Sequence, residues 1–194
     1  MIDEAKAKAI NAIQPPKGVP FKITKIGHVV LNVRDVEAST KFYVEQLGFS
    51  VSDVYPHTMV PGGMVFMRFS PDHHGVALVG SATIESKRSE MHHMAFEVTT
   101  LDEVFRARER LRAAGVNIVY EGRRRAGCQI AVEFLDPDGH HLEIYWGLDI
   151  VGHGDYVRPP NEWRQTKTLE QALVDFPPGQ DTSLADTSLA RPTP

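Results

Sequence analysis

From Lys25 to Gly147 the apolar positions follow two alternating rhythms. In IGHVVLNV, Val29, Leu31 and Val33 alternate with His28, Val30 and Asn32. A period of two is that of a strand with one buried face. The rhythm then lengthens. Asp35 is an N-cap candidate, Val36, Phe42, Tyr43 and Leu47 share a helical stripe, and Gly48 is a natural stop. Two further strands are expected at 49–54 and 64–69, and VALV, from Val76, closes the unit.

The same order recurs. In MHHMAFEV, Met94, Phe96 and Val98 are the apolar set, and His28 falls on His93, 65 residues on. Thr100 and Glu103 form a capping box ahead of the stripe Leu101, Val104, Phe105 and Leu111, which Gly115 stops. Strands are expected at 117–120 and 130–134, and SPDHHGVALV matches DPDGHHLEIY, with Pro71 on Pro137. Each half reads as one strand, one helix and three strands. A unit of that size leaves a sheet face uncovered and needs a partner. The expected fold is α+β, with paired βαβββ modules forming an open barrel-like cleft.

The flanks differ in character. Residues 1–20 read as a helical extension ended by Pro15-Pro16 and Gly18, and 21–147 as the domain, with modules at about 24–85 and 90–147. Residues 148–194 read as a proline-marked segment with one short helix, capped by Thr168 and Gln171, and a loose tail carrying DTSLADTSLA.

Composition narrows the function classes. With 194 residues, 24% charged and net charge -4, the chain suits a globular fold and poorly suits the phosphate backbone of nucleic acids. Its single cysteine excludes a disulfide framework and a thiolate zinc cage. No apolar run reaches the roughly 18 residues of a membrane span, and the polar N-terminus lacks a signal peptide's apolar core. The expectation is a cytoplasmic protein with no membrane or nucleic-acid partner. Arg123, Arg124 and Arg125 read as a solvated loop, with an anion clamp as the lesser alternative.

Strand parity sends His28 and His93 to the face opposite the helices, while His92 is expected on the other side. The last strand adds Glu143 at the position matched by Ala77 in the first half. A single strand histidine is most often a hydrogen-bonded core residue. Three ligand-type side chains at equivalent positions point instead to a metal site. Two imidazoles and one carboxylate leave one side of a divalent ion open, the pattern of non-haem Fe(II) oxygenases; Mn(II) or Zn(II) could use the same ligands.

IGHVVLNVRDVEASTKFYVEQLGF, MHHMAFEV and FLDPDGHHLEIY, in that order, resemble the vicinal oxygen chelate superfamily of glyoxalases, extradiol dioxygenases, epimerases and fosfomycin-resistance enzymes, over Ile26 to Gly147. The resemblance implies paired βαβββ modules around a metal. Glyoxalases and epimerases usually carry a fourth ligand where Ala77 stands. Two His and one Glu resemble the extradiol dioxygenases, with His28, His93 and Glu143 as metal ligands. That family also implies an acid/base histidine in DHHGVAL: His74 by the motif, His73 by strict parity. Ten residues before the glutamate the family has a Tyr, here Glu133; nineteen before, a His, here Arg124.

These readings together imply an Fe(II)-dependent extradiol dioxygenase acting on a catecholic diol with O2, and a homo-oligomer. The alternatives are a three-ligand transferase, lyase or isomerase of the glyoxalase or fosfomycin-resistance type, and a non-catalytic binding protein of the same fold.

Overall fold

The computed structural model describes residues 2–14, 24–87, 90–151 and 157–190. Pro15-Pro16 and Gly18 lie outside them. A short helix, α1 (Glu4–Asn11), comes first. The first module runs β1 (Val29–Asn32), α2 (Val36–Leu47), β2 (Ser50–Tyr55), β3 (Met64–Arg68) and β4 (Val76–Val79). The second runs β5 (Met94–Glu97), α3 (Leu101–Ala113), β6 (Ile118–Arg123), β7 (Ile130–Leu135) and β8 (His141–Trp146), and α4 (Leu169–Val174) follows. The fold is α+β, with two open four-stranded sheets ordered β1-β4-β3-β2 and β5-β8-β7-β6.

Local chemistry sets the boundaries. Asp35 caps α2 by accepting from Ala38 N at 3.0 Å, and Gly48, at φ +74°, ends it in the left-handed region. Glu103 accepts from Thr100 N at 2.8 Å at the start of α3. Thr168 accepts from Gln171 N at 3.1 Å to open α4.

Parity holds where it was expected. Leu31 and Val33 are buried on the helix side, while Val30 is 46% exposed on the other. In β5, Met94 and Phe96 are half-buried and Ala95 and Glu97 exposed. The two central pairings match across the repeat, Val30 with Ala77 and Ala95 with Glu143, so the internal symmetry is one of register as well as sequence.

The modules meet through their helix sides. Phe96 lies edge-on to Phe49 at 5.6 Å and packs on Phe69 at 5.4 Å, and Phe42 of α2 packs on Phe134 of β7 at 6.4 Å. One apolar core spans both halves. A polar clasp from the DPDG turn closes the joint. Asp138 accepts from Ser39 Oγ at 2.6 Å, Arg34 N at 2.9 Å and Arg34 Nε at 3.0 Å. Burial alone would lift the Asp138 pKa, but the hydrogen bonds from Ser39 and Arg34 outweigh it and hold the carboxyl below its usual range. The clasp therefore stabilises fully above the ordinary aspartate value of about 4 and weakens as pH falls through the lower folded value.

Two expectations about charged and C-terminal residues are corrected. Arg123, read as solvated, is fully buried. Its guanidinium donates to Ala172 O at 2.7 Å, to Asp175 O, and to Gln180 Oε1 at 3.0 Å, so it caps the C-terminal end of α4, where a cation is favoured. Residues 181–190, read as loose, dock on α3: the Asp102 carboxylate accepts from Ala185 N at 3.0 Å and Asp186 N at 2.7 Å. Gly122 fits a separate close approach of the C-terminal segment, at Thr166. At φ +126°, its missing Cβ would lie 2.5 Å from Thr166 O.

Candidate metal and acid/base site

His28 and His93 sit one residue ahead of β1 and β5, so each imidazole stands at a strand entrance on an exposed edge. The side chains form two groups, one on each module.

On the second module, His93 Nε2 lies 3.1 Å from Glu143 Oε2. The Glu143 side chain is 2% exposed, and Gln129 Nε2 donates to its other oxygen at 3.4 Å. Glu133 pairs with Glu143 across β7 and β8, so two buried carboxylates stand side by side. Burial and the neighbouring Glu133 raise the Glu143 pKa, with His93, Gln129 and Arg124 opposing. Arg124 compensates Glu133: its Nε donates to Glu133 Oε1 at 2.6 Å while the guanidinium lies 3.6 Å over the Tyr120 ring.

His141 belongs to this group and was not foreseen. It extends the β5–β8 register beside His93, with ring centroids 5.5 Å apart. Its Nε2 is 2.9 Å from Glu133 Oε2, an ion-pair contact, and is otherwise without a hydrogen-bond partner. Burial lowers the His141 pKa, helped by His93 and His92 and opposed by Glu133. The signal was present: residues 141 and 143 share one face of a strand. His92, expected on the opposite side, also joins. Its Nδ1 is 2.8 Å from His93 Nδ1 and its ring 5.7 Å from His141, because both residues precede β5, where strand alternation is not imposed.

On the first module, the His28 and His74 rings are 4.7 Å apart. His74 Nδ1 is 3.0 Å from His73 Nδ1, and His73 Nε2 is 3.2 Å from Asp53 Oδ2. Both DHHGVAL histidines therefore act in one chain of contacts. Burial lowers the His74 pKa, and His28 and His73 add to it, favouring a neutral ring. Ala77 is fully buried beside Val30 and Phe66 and offers no ligand atom.

Among the described residues no hydrogen bond, ion pair or ring contact joins the two groups, and no three His, Cys, Asp or Glu side chains stand together in metal-holding geometry. A cleft of about 650 Å³ lies along β6 and is lined by Tyr120, Arg124 and Lys167; it touches none of His28, His93 and Glu143. The donor chemistry does fit a divalent cation. Glu143 is a buried carboxylate beside a second carboxylate, with imidazole nitrogen at its open oxygen, and a cation would hold it ionised.

Residues 25–144 match the Glyoxalase/Bleomycin resistance protein/Dioxygenase superfamily. The chain belongs to this superfamily. It is 31% identical to a 3-methylcatechol 2,3-dioxygenase of Pseudomonas putida over 137 residues, 69% of this chain and 46% of that protein. It is 32% identical to a biphenyl-2,3-diol 1,2-dioxygenase of Paraburkholderia xenovorans over 155 residues, 77% of this chain and 51% of that protein. The chain thus spans about half the length of these relatives. A solved superfamily domain from Frankia shares the fold, at TM-score 0.56 and 22% identity, covering 65% of this chain and 99% of the other. Among the described residues no helix is long and apolar enough to cross a membrane.

Proposed function

We propose that the protein is a metal-dependent extradiol-type dioxygenase for a catecholic diol, with its site closed by two copies of the chain. The ligand set is His28 from one copy with His93 and Glu143 from the other. The observation that carries this reading is the split itself. The half-sites stand apart, one on each module, while the modules of one copy join through their helix sides. A second copy laid on the inner side of the sheets, where Val30 and Ala95 are exposed, would bring the halves together and cover those two side chains. The dioxygenase relatives favour ring cleavage over the transferase, isomerase and binding alternatives.

Fe(II) suits the imidazole and carboxylate set and would act as Lewis acid and as conduit of charge between diol and O2. The chain's own residues do the rest. Asp53 accepts from His73 Nε2, so His73 Nδ1 accepts from His74 Nδ1. His74 Nε2 is then left with a lone pair, ready to take a proton from a diol hydroxyl and return it to the product. Beside Glu143, Glu133 and Arg124 neutralise one another and the Arg124 guanidinium covers the Tyr120 ring, so an ion pair stands where the extradiol pattern places a phenol at residue 133.

The test is anaerobic loading with Fe(II), metal analysis, and addition of a catechol panel with O2. The expected result is stoichiometric O2 uptake and a ring-opened product with at least one diol. Fe(II)-loaded protein that consumes no O2 with any of them contradicts the reaction class.

A further inference from the structure

Gln129 has a side chain that the proposed reaction leaves unused. Its Nε2 donates to Glu143 Oε1 at 3.4 Å, which leaves Glu143 Oε2 toward His93. Its own Oε1 is buried without a hydrogen-bond partner. Turning the amide over would set that oxygen against the carboxylate, so the arrangement is fixed by charge.

The backbone that presents Gln129 is unusual. Gly127 and Cys128 are both left-handed, at φ +71° and +52°, and Cys128 is the one non-glycine residue with positive φ among the described residues. Such a residue persists only when its surroundings determine it, and such residues cluster at functional sites. Here the C-terminal segment supplies the surroundings. Gln180 Nε2 donates to Cys128 O at 3.1 Å and to Gly147 O at 3.0 Å, while its Oε1 accepts from buried Arg123. Asp149 N donates to Gly127 O at 2.9 Å, and Arg124 N to Gln129 O at 3.0 Å. The turn is held from both sides, and the two site residues at its ends, Arg124 and Gln129, contact the two buried carboxylates.

We infer that Gln129 is a positioning residue for Glu143, set in place by the strained 127–128 turn that Gln180 of the C-terminal segment clamps. The amide fixes which carboxylate oxygen is offered to the cation. Segment 157–190, outside the matched superfamily region, becomes part of the site's support. The inference rests on Glu143 being a metal ligand.

Mn(II) affinity, measured by competition with a fluorescent chelator, tests it alongside the melting temperature of the metal-free protein. Outer partners of metal ligands are typically worth about 10–100-fold in affinity. Gln129→Leu should weaken Mn(II) binding by that range with no fall in the metal-free melting temperature. Gln180→Glu removes both amide donations while keeping the shape, and should weaken binding similarly. The double variant should be no weaker than the poorer single one, because both act through one carboxylate. Wild-type affinity in Gln129→Leu, or fully additive losses, overturns the inference. Loss in Glu143→Ala but not in Gln129→Leu or Gln180→Glu overturns it alone. Wild-type affinity in Glu143→Ala overturns the ligand reading beneath it.

Discussion

Glu143→Ala should lose bound metal and, with it, all measurable O2 uptake, while the fold persists. The side chain is 2% exposed, and its charge is opposed by Glu133 across the strand pair. Removing it deletes one of three ligands and also relieves a repulsion between buried carboxylates. The metal-free variant should therefore melt no lower than the wild type, since two like charges taken out of water disfavour the folded state. Metal content and the melting curve, taken on one preparation, check both halves. Full metal occupancy in Glu143→Ala would show that the carboxylate is structural.

His74→Phe should retain metal and lose about 10²–10⁴ in turnover, the usual worth of a positioned acid/base. The ring lies against His28 and is tied to His73, so Phe keeps the packing and removes both nitrogens. His73→Phe should cost much less, about 10-fold by order of magnitude, because it removes only the partner that sets the His74 tautomer. Burial, His28 and His73 all lower the His74 pKa, so the base stays competent below the ordinary histidine range. In His73→Phe one of those contributions is gone, and the acid limb of the rate profile should move to higher pH. Equal rates in wild type and His74→Phe at full metal loading would remove the imidazole from the mechanism.

Much of the architecture was legible because strand and helix periods differ and each was repeated. The two HVVLNV-like strands, the caps at Asp35, Thr100 and Thr168, and the glycine stop at Gly48 all appear where their chemistry places them. Alternation also put Leu31 inside and Val30 outside. It could not say what each face meets. The pairing of helix sides through Phe42, Phe49 and Phe96 depends on long-range packing that no local period encodes. Arg123 was misread for a related reason. Three consecutive arginines look solvated, but the carbonyls at the end of α4, some fifty residues on, form a cage for one of them. Parity failed for His92 because the residue lies ahead of its strand, and His141 was passed over although it shares a face with Glu143.

Mixing His28→Ala with His93→Ala tests most directly whether two copies build one site. Each variant alone should be inactive. In an exchanged dimer of the two, one site carries both lesions and the other carries none. Random pairing of equal amounts should then restore about a quarter of wild-type O2 uptake with catechol. The same mixture should regain tightly bound metal in proportion. A mixture shown by native mass spectrometry to exchange subunits, yet inactive and metal-free, would place all three ligands in one chain and contradict the account.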